Sequence, residues 1–124
     1  MEPLEDFKEK IRGLAGEMNA GGLTYTAVNV RLDMATSDLL GTYIIDTPDE
    51  IIDTVFDAYA EIHVLAAQRG QLTNAEASHL INDRAVELFE DYRGWEVVEQ
   101  KVKPFWDRLD QESMGTEGPP INAL

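Results

Sequence analysis

The stretch TPDEIIDTVFDAYAEIHVLAAQRGQLTNAE, residues 47–76, decides the fold. Its apolar residues recur at intervals of three and four, which is the period of an α-helix with one buried side. Thr47, Pro48 and Glu50 form a helix-start pattern, because threonine can cap, proline suits the first helical position and the glutamate can complete a capping box. Gly70 supplies the left-handed residue that commonly ends a helix. We therefore expect a long helix between Thr47 and Gly70.

A second helix is predicted directly after the first. Thr73 and Glu76 repeat the capping-box pattern, and the apolar period continues to Tyr92, after which Gly94 can end the helix. The predicted connecting loop has only three or four residues. A loop this short favours antiparallel neighbours, so the two helices are expected to form a helical hairpin.

The N-terminal part of the chain predicts one helix clearly and leaves the next segment open. A stripe at helical spacing is formed by Leu4, Phe7, Ile11, Leu14 and Met18, and the pair Gly21-Gly22 follows it. Residues 24–46 fit two patterns. The helical period is matched by Tyr25, Val28, Leu32, Ala35 and Leu39, whereas Thr26, Val28, Val30, Leu32 and Met34 alternate as in a strand. We favour a helix because its match is longer than most strands, and strands over 24–46 would give an α+β fold.

The C-terminal segment predicts a last helix with an interruption. Its core stripe is expected to contain Trp95, Val98, Val102, Phe105 and Leu109. Pro104 removes a backbone donor and should kink or divide the helix near Lys103. Residues 113–124 contain two glycines and a Pro-Pro pair and are expected to be a flexible tail. The sequence thus predicts an all-α fold, a compact bundle of four to five amphipathic helices in one domain over 1–112.

Charge and composition restrict the possible functions. The chain has 24 acidic and 10 basic residues, a formal charge of −14, so direct binding of nucleic acid or an anionic membrane is disfavoured and a basic protein surface is favoured. Cysteine is absent, which excludes thiolate zinc sites and cysteine nucleophiles. We see no secretory signal pattern and no apolar stretch of membrane-spanning length, so we expect a cytoplasmic protein.

Acidic side chains align on the two helices of the predicted hairpin. Asp53, Asp57 and Glu61 are four residues apart and share one helix face, where like charges repel by roughly 0.2–0.5 kcal/mol per pair. The candidate partner-binding residues are Asp49, Asp53, Asp57, Glu61, Asp83, Glu87 and Glu90, together with Trp106. Trp106 departs from the core stripe of the last helix by one position, so it is expected to be partly exposed and to anchor a partner.

The two histidines are expected to be structural. Glu76 and His79 have the Glu-x-x-His spacing of carboxylate-bridged metal sites, but they fall on the predicted polar face of their helix and no second copy of the motif is present. His63 lies at the border of an apolar stripe, where a histidine ring commonly packs against its neighbours. No catalytic residue, metal or cofactor is predicted.

Three classes of function remain open at this stage. The leading one is a non-enzymatic binding module, such as an inhibitor, immunity-type protein or adaptor, that docks the acidic hairpin on a basic protein surface, in one version by mimicking nucleic acid. The second is an assembly subunit that forms a homo-oligomer through an exposed apolar stripe. The third is a carboxylate-rich metal-binding helical enzyme. A negative surface that serves only solubility or life at high salt explains the same acidity without any partner.

Overall fold

Helices form all of the regular structure in the part of the chain that can be described. The computed structural model describes the backbone of residues 3–43, 47–90 and 94–116, and the side chains of residues 3–43, 47–89 and 94–110. The elements are α1 (Pro3–Asn19), α2 (Tyr25–Gly41), α3 (Asp49–Gln68), α4 (Asn74–Ala85), a π-helical segment (Val86–Glu90) and α5 (Trp95–Thr116). No strand occurs within those ranges. The predicted all-α fold with four to five helices is confirmed.

Contacts divide the chain into two units, Met1–Ile62 and His63–Leu124, and α3 contributes to both. In unit 1, α1 and α2 approach each other closely, and in unit 2 the same holds for α4, the π-helical segment and α5. The predicted hairpin of α3 and α4 is not among the close helix pairs of the described residues, and its loop has five residues, 69–73. The single domain over 1–112 stays a prediction.

The ambiguous segment after residue 24 is helical. In α2 the residues at helical spacing, Val28 and Leu32, are buried, whereas Val30 and Met34, which would share a strand face with them, are 55% and 63% exposed. The Thr24 hydroxyl caps the helix by accepting a hydrogen bond from the Ala27 amide at 3.3 Å. The helical interpretation is confirmed because burial follows the period of 3.6 and not the alternation.

Glycines end two of the helices as predicted. At the end of α1, Gly21 has a φ of +83°, its amide donates to the Met18 carbonyl, and the next amide donates to the carbonyl of Glu17. At the end of α3, Gly70 has a φ of +75°, its amide donates to the Ala67 carbonyl, and the next amide donates to the Ala66 carbonyl. This is the Schellman motif, in which a left-handed residue satisfies the last carbonyls of a helix. Residues with a Cβ are strained in that conformation, which explains glycine at both places.

The start of α3 differs from the prediction. The Thr47 hydroxyl donates to the Tyr43 carbonyl at 3.2 Å, so it is engaged with the preceding segment instead of capping the helix. The Pro48 carbonyl accepts the first helical hydrogen bonds, from the amides of Ile51 and Ile52. Proline is therefore the residue before the helix and not its first turn. The residue types of the helix-start pattern are present, but the Thr47 hydroxyl bonds to the Tyr43 carbonyl instead.

The start of α4 matches the prediction in detail. The Thr73 hydroxyl accepts from the Glu76 amide at 3.0 Å, and the Glu76 carboxylate accepts from the Thr73 amide at 3.0 Å, which completes a capping box. Hydrogen bonding to Thr73 lowers the pKa of the Glu76 carboxyl below its ordinary value of 4.5. The bond to the Thr73 backbone is the largest cause, and the bond to the Thr73 side chain is the second. The side-chain amide of Asn74 donates to the Leu109 carbonyl at 2.9 Å and so ties this helix start to α5.

The predicted second helix changes character before it ends. After Ala85 the chain continues as the π-helical segment, in which Phe89 is fully buried and the Lys101 ammonium lies 5.6 Å from the centre of its ring. The predicted helix extended to Tyr92, which lies outside the described residues. Gly94 directly precedes α5, and its carbonyl accepts from the Val98 amide.

Pro104 does not divide the last helix. Helix α5 runs without a break from Trp95 to Thr116, four residues past the predicted domain end. Proline leaves the carbonyl of Gln100 without its helical donor, but both residues are exposed, so water can replace that hydrogen bond. The division expected near Lys103 is wrong for this reason. Residues 117–124 lie outside the described residues, so the flexible tail stays a prediction.

Replacing Glu76 with glutamine should make the stability depend on pH in a defined way. Glutamine can keep the hydrogen bond to the Thr73 amide but carries no charge. Because folding lowers the pKa of Glu76, the carboxylate stabilises the fold fully above the unfolded-state pKa, and the contribution is lost as the pH falls through the folded-state pKa. We expect the urea midpoint of Glu76→Gln to lie below that of the wild type at neutral pH, and the gap to close as the pH falls through the folded-state pKa of Glu76. Equal midpoints at neutral pH would contradict this assignment.

Candidate functional site

Helix α3 is buried over most of its circumference. Eleven of its 20 residues are buried, and Phe56 and Ala60 have no exposed surface. After the first turn, the exposed positions are Asp57, Glu61 and Gln68. Because only a narrow part of the helix faces water, the positions that can carry a charge recur about every four residues. The alignment of acids noticed in the sequence is therefore a direct consequence of the burial of the rest of the helix.

The acidic residues predicted on α3 are largely exposed. Asp49, Asp57 and Glu61 are exposed and Asp53 is half-buried, and all four belong to unit 1. We call these four residues the acidic strip. Each of them also takes part in a hydrogen-bonding or electrostatic interaction within the chain. The strip therefore combines exposure with interactions within the chain.

The acidic residues predicted after α3 have close partners of their own. Asp83 lies 3.3 Å from the Nε2 atom of His79, and Glu87 lies 3.6 Å from a guanidinium nitrogen of Arg84. Both acids are exposed, as predicted, while the side chain of Glu90 lies outside the described residues. These acids belong to unit 2, whereas the acidic strip belongs to unit 1.

The Glu-x-x-His pair serves helix α4 itself. Glu76 caps the helix start through Thr73, and His79 is exposed and contacts Asp83 on the next turn. The polar face predicted for the pair is where both side chains lie. Among the described residues, no group of three or more histidine, aspartate or glutamate side chains is arranged to hold a metal ion.

His63 is more deeply buried than its position in the sequence suggested. Its exposed fraction is 0%, and it is the single buried polar or charged side chain among those described. It has an interaction partner within the chain. A fully buried imidazole cannot meet a dissolved substrate without an opening of the structure, so its surroundings favour the packing role predicted for it.

The exposure of one tryptophan agrees with the prediction, and the exposure of the other does not. Trp106 is 36% exposed, as expected from its offset from the core stripe, but Trp95, which we expected in the core, is 51% exposed. At about 100° per residue, Trp95 lies roughly 50° from the centre of the stripe formed by the four buried positions of α5. Its indole N–H donates to the Glu99 carboxylate at 2.7 Å. Trp95 is the first residue of α5, and a count of three and four steps does not take that position into account.

A groove runs between α1 and α2 in unit 1. It has a volume of about 460 Å³, with the buried side chains of Phe7 and Leu39 at its base. Lys10 on its rim pairs with Asp6 at 3.2 Å, so the two charges neutralise each other locally. The groove residues include no histidine, serine or cysteine, and the lining offers no nucleophile paired with a base.

Comparisons with known proteins give no further guidance. No family model, no curated protein and no solved structure matches the chain. Within the described ranges, none of the helices has the length and apolar content needed to cross a bilayer.

Proposed function

We propose that the protein is a small acidic binding module, without enzymatic activity, that docks the acidic strip on a basic protein surface in the cytoplasm. The observation that carries the proposal is the exposure of Asp57 and Glu61 on the narrow exposed side of a helix that is buried over most of its circumference. An inhibitor, an immunity-type protein or an adaptor would use such a surface. A nucleic-acid-binding protein would be a fitting partner, because its groove is built to accept negative charges in a row.

Charge supports both the speed and the selectivity of this docking. With a formal charge of −14, the chain attracts basic surfaces over distances of about 10 Å at moderate salt. Carboxylates four residues apart on a helix are about 5–6 Å apart, a spacing comparable to that of charges along a nucleic-acid backbone. Binding of this kind is fast and weakens as salt is added. No cofactor enters the proposal.

A second candidate function is favoured by the exposed face of α2. Val30 and Met34 are four residues apart on one side of that helix and are the most exposed large apolar side chains among the described residues. Side chains of this kind are often covered in an oligomer. The candidate is therefore an assembly subunit that forms a homo-oligomer through α2.

Charge reversal in the acidic strip tests the leading proposal. In Asp57→Lys/Glu61→Lys, both substitutions are at exposed positions of α3, and we expect the protein to retain about tenfold less of its basic partner in affinity capture from the native host at low salt. Capture by the wild type should fall when the salt concentration is raised.

A matched control separates the strip from the overall charge. Glu9→Lys/Asp38→Lys also changes the net charge by four and replaces two exposed acids, but on α1 and α2. It should lose much less binding. Equal losses in the two variants, or full capture by the α3 variant, would show that the strip is an ordinary solvated surface.

The molar mass in solution decides between the two candidates. The binding module should be a monomer of 13.9 kDa across a wide range of protein concentration, measured by light scattering during gel filtration. The assembly subunit should have at least twice that mass and return to 13.9 kDa in Val30→Ser/Met34→Ser. A dimer unaffected by these substitutions would contradict the role of α2.

A further inference from the structure

The two tryptophans of the chain share one side of α5. They are eleven residues apart, which is about three helical turns with a remainder of roughly 20°, so the indoles are aligned and separated by roughly 16 Å along the helix. Their exposed fractions are 51% and 36%. The core of this helix is formed by Val98, Val102 and the buried side chains that follow them, so neither indole is needed to complete that stripe.

Charged side chains lie between and beside the two indoles. Glu99 follows Trp95 by one turn and accepts its indole hydrogen bond, and Asp110 follows Trp106 by one turn. Lys103 pairs with Asp107 at 3.6 Å, so this lysine is already neutralised. We call the set formed by Trp95, Glu99, Lys103, Trp106 and Asp110 the tryptophan ridge. Its exposed surface is aromatic at two points and negative between and beyond them.

We propose that the tryptophan ridge binds a basic amphipathic helix of a partner protein, about three turns long. The leucine-like side chains of such a helix would pack on the two indole faces, and its lysines and arginines would meet Glu99 and Asp110. Tryptophan contributes strongly to binding when it is half-exposed in the free protein and becomes covered in the complex. The inference rests on the proposed function, because it identifies the chemistry of a partner for the same acidic module.

Charge complementarity selects this occupant. A second copy of the chain would bring Glu99 and Asp110 against carboxylates of the same ridge, and both copies carry a formal charge of −14. A neutral apolar segment would leave these carboxylates beside apolar surface without a counter-charge, which is unfavourable. A basic helix satisfies the indoles and the acids together.

The test uses the full-length protein and a synthetic peptide of about 18 residues, long enough to cover the ridge, with leucines on one helical face and lysines on the other. The peptide contains no tryptophan, so the emission of Trp95 and Trp106 reports binding directly. We expect the emission to shift to shorter wavelength on titration, with Kd rising about tenfold in Trp106→Ala and in Glu99→Lys/Asp110→Lys. The Glu9→Lys/Asp38→Lys variant is the matched control, because it changes the net charge by the same amount at exposed positions of α1 and α2 and should raise Kd much less. Circular dichroism verifies that each variant is folded.

Several outcomes would overturn the inference. The first is an unchanged Kd in the Trp106→Ala and Glu99→Lys/Asp110→Lys variants. The second is equal binding of a peptide that has the same composition in a non-amphipathic order. The third is equal binding of a peptide in which glutamate replaces every lysine. An emission shift caused by a rise in protein concentration alone would mean that a second copy of the chain covers the ridge. An emission shift caused by deletion of residues 117–124 would mean that this segment covers it.

Failure of the inference can be told apart from failure of the proposed function. If Asp57→Lys/Glu61→Lys alone abolishes capture of the natural partner, the acidic strip is the docking surface and the ridge is not. If neither that variant nor the ridge variants alter any binding, both proposals are wrong.

Discussion

The structure depends on the burial of helix α3, which is kept out of water over most of its surface. Residues such as Val55, Phe56 and Ile62 are buried with almost no exposed surface, and each large apolar side chain buried in this way contributes about 1.5–3 kcal/mol. Ala60 is also fully buried. Polar side chains are thereby restricted to a narrow line on this helix, and the spacing of its acids follows.

Because of this burial, the position of the acidic residues on α3 has two explanations. The repulsion between Asp57 and Glu61 is a small cost, since exposed like charges four residues apart interact by only a few tenths of a kcal/mol, roughly 0.2–0.5. A solvated strip explains their position completely, and a basic partner would use the same position. The exposed acids of unit 2 also have partners within the chain, since Asp83 lies near His79 and Glu87 lies near Arg84.

Local sequence was sufficient for the fold class and for most helix ends. Gly21, Gly70 and the pair Thr73 and Glu76 were identified in advance because their effects depend on neighbours within five residues. Prediction failed where a competing hydrogen-bond partner or the exposure of a residue decided the outcome. The Thr47 hydroxyl bonded to a carbonyl before the helix, and Pro104 was accommodated by facing solvent.

The candidate site was predictable in its residues but not in its grouping. Asp57, Glu61 and Trp106 are exposed as expected, whereas Trp95 was expected in the core because intervals of three and four do not record the gradual rotation of a stripe. No local pattern shows which helices approach closely. The sequence could not reveal that α4 packs against α5, or that the two sets of acids belong to different units.

Native-state hydrogen exchange tests the central claim, the burial of α3, most directly. The amides of residues 55–66 should exchange only when the whole protein unfolds, so their opening free energies should equal the free energy of unfolding measured in urea. The amides of α1, whose outer face is exposed, should open at lower free energy. If the α3 amides exchanged as readily as those of α1, the helix would not be the buried element on which the acidic strip depends.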